Sequence, residues 1–260
     1  MLIDISMSHF TDIGFPVSNQ EEYDQLIRDL GPLASPNQSE FGTYFCFADP
    51  SGAEVWFHVD SNGELQSVQP HFRGNSRRTL NVIGTIMPEG NSLLGALHGW
   101  ADPDDPENPE SGKYPFAFEL PDFRLTAPDP EMLPAIHDIQ LSGFAEPGFR
   151  IYPTEEAFLA GQEGETHFAA ESFIPIGLFS DESEDESPSP AYGMFAGRIR
   201  EWKKIRNTHS GVDFYCFAVQ TLGGEIDVVA APELVTELPV EGGIISGTFW
   251  LSGILLPRAG

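Results

Sequence analysis

The chain has 260 residues, 40% hydrophobic and 12% aromatic, enough for one large packed unit or about two to three small ones and too apolar for wholesale disorder. Its formal net charge is -27, a field that repels nucleic acid and acidic membranes at long range and tolerates a cationic partner. Lysine is scarce, at Lys113, Lys203 and Lys204, a composition that also suits a salt-adapted or GC-rich host.

Met1 to Asp4 has no basic region followed by a long apolar core, so no signal peptide is expected. The longest near-apolar run, 242–257, is broken by Gly and Ser and falls short of the ~20 residues a bilayer span needs. The expectation is a cytoplasmic protein with no membrane partner. Cys46 and Cys216 sit in aromatic strand patterns and read as buried free thiols.

The first element, "FTDIGFPV" (10–17), reads as a strand. "SNQEEYDQLIRDLGP" then opens with Ser18 and Glu21 in capping-box spacing. Tyr23, Leu26, Ile27 and Leu30 form one apolar helix face, and Gly31-Pro32 ends it. A polar loop leads to the hairpin "GTYFCFADPSGAEVWFHVD" (42–60), turned at Asp49-Pro50-Ser51-Gly52, and to the strand "GELQSVQPHF" (63–72). The order is β-α-β-β-β.

That order, with the "DPSG" turn, resembles one half-module of the vicinal-oxygen-chelate family, the glyoxalase and extradiol-dioxygenase relatives, over roughly residues 8–73. The resemblance implies a metal ligand on the first strand, where this chain has Asp12, and a carboxylate ligand after the turn, where it has Trp56. An indole has no lone pair to give a metal. Glu54 and His58 flank Trp56 on the same strand face but lie about 13 Å apart along an extended chain, too far to chelate one ion. The complete family site uses two half-modules, and only one is visible. No metal and no cofactor are therefore expected, and Trp56 and His58 become candidates for a contact surface.

The rest of the chain contains an internal repeat. "GALHGWADPDDPENPESGKYPFAF" (95–118) matches "GRIREWKKIRNTHSGVDFYCF" (197–217) through Trp100 and Trp202, Asn108 and Asn207, Ser111-Gly112 and Ser210-Gly211, and Phe118 and Phe217. Each copy continues with Leu-Pro (133–134, 238–239) and Leu-Ser-Gly (141–143, 251–253). Both copies are strand-rich, and each resembles a small OB-like antiparallel β-barrel; two copies could instead close one shared barrel. The expected class is α+β: a βαβββ module at 1–75, a first barrel-like repeat at 76–145, a connecting segment at 146–190 and a second repeat at 191–260. Within the connection, 152–162 reads as a short helix capped by Thr154, and "SDESEDESPSP" (180–190) as a solvated acidic linker.

The seven histidines show no zinc-site spacing, and no C-x-x-C, phosphate loop, dinucleotide fingerprint or nucleophile elbow occurs. Five cations cluster at Arg198, Arg200, Lys203, Lys204 and Arg206, near Trp202, Phe214 and Tyr215. Basic and aromatic residues on a small barrel are how OB folds grip single strands. Yet 193–260 holds six basic against seven acidic residues, so the cations are expected to pair with acids of their own chain, and nucleic acid is a disfavoured partner. Arg73, Arg77 and Arg78 mark the join between module and repeat, where they either anchor the two or line a cleft. The expected function is a non-catalytic binding or regulatory protein for a protein or small-molecule ligand. A metal-dependent enzyme of the vicinal-oxygen-chelate kind and a single-strand nucleic-acid binder are the alternatives. A homodimer covering the module's sheet edge is a further expectation.

Overall fold

The computed structural model describes residues 9–88, 90, 93–105, 108, 110–162, 167–176 and 191–257; the acidic run 180–190 lies outside them. The protein is mostly β: a four-stranded antiparallel sheet near the N-terminus and a ten-stranded mixed sheet, with few helices.

The expected first strand is a 3-10 turn, Thr11–Ile13. Gly14 follows at φ 83°, a left-handed conformation that reverses the chain. Its Cα faces the second repeat so closely that a Cβ would lie 2.7 Å from that of Asn207. Phe10, Ile13, Phe15 and Val17 are all buried, so the apolar residues that suggested a strand are core residues of an irregular segment. Helix α1 runs Gln20–Leu30. Asn19 is its N-cap, accepting from the Glu22 backbone, and the Glu22 carboxylate accepts from Ser18 N and Oγ at 2.7 Å. The cap is thus Asn19, one residue later than the Ser18–Glu21 reading, and Glu22 reaches back to Ser18 rather than to the N-cap N–H.

Strands β1 (Ser35–Ser39), β2 (Gly42–Ala48), β3 (Ala53–Asp60) and β4 (Leu65–Phe72) form a meander. β1 is the polar "SPNQS", which the sequence reads as loop. It is an edge strand, where Pro36 breaks no interior ladder. The order is therefore α-β-β-β-β.

The large sheet takes β5 (Arg78–Ile86), β6 (Ala96–Ala101), β7 (Pro115–Glu119) and β8 (Ala135–Ala145) from the first copy. The second copy contributes β11 (Tyr192–Arg206), β12 (Asp213–Thr221), β13 (Gly224–Ala230) and β14 (Ile244–Leu255). Strands β9 (Arg150–Tyr152) and β10 (Ser172–Ile176) lie at its edges. Helix α2 (Phe123–Thr126) follows β7, and helix α3 (Glu155–Ala160) is capped by Thr154 as expected.

Two separate antiparallel barrels are not what forms. Within each copy the pairing runs β7-β6-β5-β8 and β13-β12-β11-β14. The copies then exchange their last strands: β8 pairs antiparallel with β14, β13 pairs parallel with β8, and β14 makes a single parallel bridge to β7. The sheet is thus mixed and ring-like, and each copy is closed by a strand of the other. At the centre of the exchange the two Leu-Ser-Gly motifs face each other, Ser142 opposite Ser252.

Topology also corrects the repeat's register. Leu-Ser-Gly matches as read, but Trp100 lies on β6, the second strand of its copy, and Trp202 on β11, the first strand of the other. The true equivalents are β5 with β11, β6 with β12 and β7 with β13. Both first strands carry a bulge, between Val82 and Gly84 and between Ile199 and Glu201.

The core follows this exchange. One apolar cluster runs through both copies, with Leu80, Phe116 and Phe118 against Phe195, Phe217 and Phe249. A second lies between the N-terminal sheet and the large one, joining Phe10, Phe57 and Phe72 to Phe144, Phe214 and Trp250.

Candidate functional site

A cleft of about 460 Å³ opens where the Pro50–Gly52 turn and the 72–75 segment of the N-terminal unit face β11, β12 and β13. It gathers Arg73, Arg200 and Lys203; the Trp202 ring, in register with Phe217, packs on the opposite face against the large core. Acids meet the cations there: Glu201, Glu225 and Asp227.

The floor is set by strand register. Glu201 of β11 pairs with Ala218 of β12, and Ala218 with Asp227 of β13. The three side chains share one sheet face, because neighbours in a ladder row point the same way. The outer two are then about 10 Å apart, with only a methyl group between them. That small middle residue leaves the notch. The equivalent row of the first copy is Gly84, His98, Ala117. There the middle residue is large, and a Cβ on Gly84 would lie 2.3 Å from His98 Nε2. The same frame is filled in one copy and open in the other.

Arg200 is the extra residue of the second copy's bulge, a device that re-aims a side chain out of the normal alternation. It is exposed and lines the cleft. The other cations there have partners: Arg73 Nε lies 2.5 Å from Glu54 Oε1, and Lys203 Nζ 2.8 Å from Glu201 Oε1.

Asp227 is 4% exposed. Its Oδ2 accepts from Ser76 N at 2.8 Å and Gln140 Nε2 at 3.0 Å. Gly74 is necessary here, because a Cβ would fall 2.1 Å from the carboxylate. Oδ1 has no hydrogen-bond partner among the described residues. Two positions away on the same face, Glu225 has its pKa raised, by burial first and by Asp227 second, with Arg200 opposing.

A buried polar seam runs behind the cleft, where the N-terminal unit meets the paired serines. Ser142 Oγ donates to the Phe72 carbonyl at 2.6 Å, and His71 Nδ1 and Ser252 Oγ are 2.9 Å apart. Burial pushes the His71 pKa down to about 4, so the ring is neutral. A second buried group, His9, lies 3.2 Å from Asp12 and 3.3 Å from Glu146, stacked on Trp250 at 5.1 Å. Burial opposes its charge, but the hydrogen bonds and charges of Asp12 and Glu146 outweigh burial and raise its pKa to about 9.

The remaining sequence candidates are placed as follows. Trp56 and His58 are buried, not presented. The reason is that both faces of β3 are covered: Val55 and Phe57 pack in the core shared with the large sheet, while on the other face Leu93 and Leu125 pack with Trp56 and the Pro121 carbonyl meets His58 Nε2 at 2.8 Å. Trp56 Nε1 donates to Glu54 at 2.9 Å, and burial lowers the His58 pKa to about 4. Asp12 accepts from the Ala231 backbone as well as meeting His9. Arg78 is buried and donates to Tyr114 Oη and the Gly223 carbonyl, tying the tip of the second copy's β12–β13 hairpin to the first copy. Arg77 is exposed beside it. Arg198 meets Glu155 at 2.7 Å and Glu171 at 3.6 Å, and Lys204 and Arg206 share Asp213. Four of the five clustered cations thus pair with acids of their own chain.

Sequence reasoning missed Asp227, Glu225 and Ala218. A signal existed: in "GEIDVVA" the acids alternate with Ile226 and Val228, so two carboxylates share one strand face. Comparison with known proteins finds no matching family model, no significant match among curated proteins and none among solved structures.

Proposed function

We propose that this is a non-catalytic binding protein whose small polar ligand sits in the cleft between the N-terminal unit and the second copy. The carrying observation is the open row Glu201–Ala218–Asp227, set against the filled row Gly84–His98–Ala117 on the same frame. Two further features support it. The cleft lies at a junction of structural units, where ligand sites concentrate. It also brings together an ion-pair-free Arg200 and a nearly buried carboxylate.

The test is ligand-observed NMR with a mixture of small polar metabolites, on the wild type and on Ala218→Leu. Leucine fills the notch without changing any charge. Compounds that bind the wild type are expected to lose binding to the variant and to be recovered chemically unchanged. Binders that keep their affinity for Ala218→Leu would refute the site, and turnover of a bound compound would refute the non-catalytic reading.

A further inference from the structure

The groups in the cleft that have no partner define a ligand more narrowly. Three matter: Asp227 Oδ1, the Glu225 carboxylate, and the Arg200 guanidinium. None has a hydrogen-bond or ion-pair partner among the described residues. Asp227 is otherwise anchored, with Ser76 N and Gln140 Nε2 on one oxygen and Gly74 against the carboxylate. It is 4% exposed and lines the cleft. With Oδ2 held, Asp227 Oδ1 is the oxygen left open to the cleft to accept from a ligand.

Glu225 stands beside it on the same strand face, and two like charges at that spacing oppose each other's ionisation. A cationic donor between them relieves that repulsion. Two strands away in the same sheet, the bulge of β11 presents Arg200, whose charge already reaches Glu225. Its planar donor fork suits a carboxylate or phosphate. Arg73 and Lys203 are not available in the same way, because each already has a carboxylate.

We infer that the cleft takes a small zwitterion, with its amine on Asp227 and Glu225 above Ala218 and its anionic group on Arg200. This rests on the cleft being the ligand site. An amine alone would leave Arg200 facing a second positive charge, and an anion alone would face the two carboxylates. Selectivity therefore comes from both ends, by attraction and by repulsion of the wrong charge.

Isothermal titration with a chain-length series tests this: 3-aminopropanoate, 4-aminobutanoate and 6-aminohexanoate, each beside its N-acetyl and its amide form. At least one zwitterion of the series is expected to bind. N-acetylation is expected to weaken that binding by about tenfold or more, since a charged hydrogen bond is lost. Asp227→Asn should weaken the amine form by a similar factor and leave the N-acetyl form unchanged. Arg200→Gln should weaken the carboxylate form and leave the amide unchanged. Glu225→Gln, at the more open position, repeats the amine test if Asp227→Asn does not fold.

The inference is overturned if the N-acetyl form binds as tightly as the free amine. It is equally overturned if the Asp227 and Glu225 variants bind normally, or if no member of the series binds. Ala218→Leu separates the two levels. If it abolishes binding of N-acetyl forms, the cleft is the site and only the zwitterion falls. If it changes nothing, both fall.

Discussion

The rows Gly84–His98–Ala117 and Glu201–Ala218–Asp227 occupy the same place in two copies of one strand pattern, each following a bulge in its first strand. In the first copy the bulky residue is in the middle, and His98 lies over a glycine. In the second the small residue is in the middle and acids stand at the sides. The two copies present equivalent strand positions, one filled by His98 and the other left open over Ala218. The lesson is that the shared Leu-Ser-Gly residues are committed to pairing the copies, so differences in local shape appear in rows such as these, away from that contact.

The copies share a continuous core and exchange their last strands, so they should unfold as one cooperative body. Phe116→Ala in the first copy and Phe217→Ala in the second should each cost about 3–5 kcal/mol, as buried ring truncations do. Urea unfolding followed by tryptophan fluorescence and by circular dichroism should give one coincident transition for both variants. A separate transition for either copy would break the shared-body description.

The buried histidines predict how that body depends on pH. His58 and His71 have pKa values lowered to about 4 by burial. Their contribution is full above the unfolded value of about 6.5 and is lost as pH falls from there towards 4, by about 3 kcal/mol each. His9 has the opposite sign. Raised to about 9, it contributes fully below about 6.5, and that contribution is lost as pH rises through 9. Thermal midpoints measured from pH 4 to 10 should peak near neutrality. His71→Gln should flatten the acid limb and His9→Gln the alkaline limb. An unchanged acid limb in His71→Gln would show that the seam linking Phe72 and His71 to the two serines carries no titration.

A double-mutant cycle sharpens the contrast between the rows. Gly84→Ala adds a methyl group where His98 already lies, and overpacking of this kind costs about 1–3 kcal/mol. Adding His98→Ala should recover most of that loss, since the obstacle is the far end of one side chain. Additive losses would mean that Gly84 is required by its backbone instead.

The smallest expected effect concerns the residues that stand out most in the sequence. Lys204→Ala and Arg206→Ala remove exposed partners of Asp213 and should change stability by less than about 0.5 kcal/mol each. They should leave ligand affinity in the cleft unchanged. A marked loss of affinity in either variant would move the site along β11, away from the Ala218 notch.

Much of the N-terminal unit was legible. The α1 face, the 42–60 hairpin and the strand after it follow from periodicity and turn chemistry, which are local. β1 was not, because a polar edge strand acquires its structure from the neighbour it pairs with. The leading strand was misread because Phe10, Ile13 and Phe15 are apolar for packing against the large sheet. Trp56 and His58 were expected on a surface, since alternation reveals two faces of a strand but not what later covers each one. The cations at 198–206 were visible as a cluster, yet only Arg200 is placed by a bulge and lacks an acid partner.

By itself the sequence determined a β-rich chain, a repeated strand pattern, the meeting motif Leu-Ser-Gly and the absence of familiar catalytic spacings. These depend on composition and on short-range pattern. Tertiary structure alone decided that the copies exchange their last strands, that the repeat's first half is offset by one strand, and that Ala218 lies between Glu201 and Asp227. Those facts depend on which strands become neighbours. Neighbour choice is set by long-range burial of a shared core, and no local spacing encodes it.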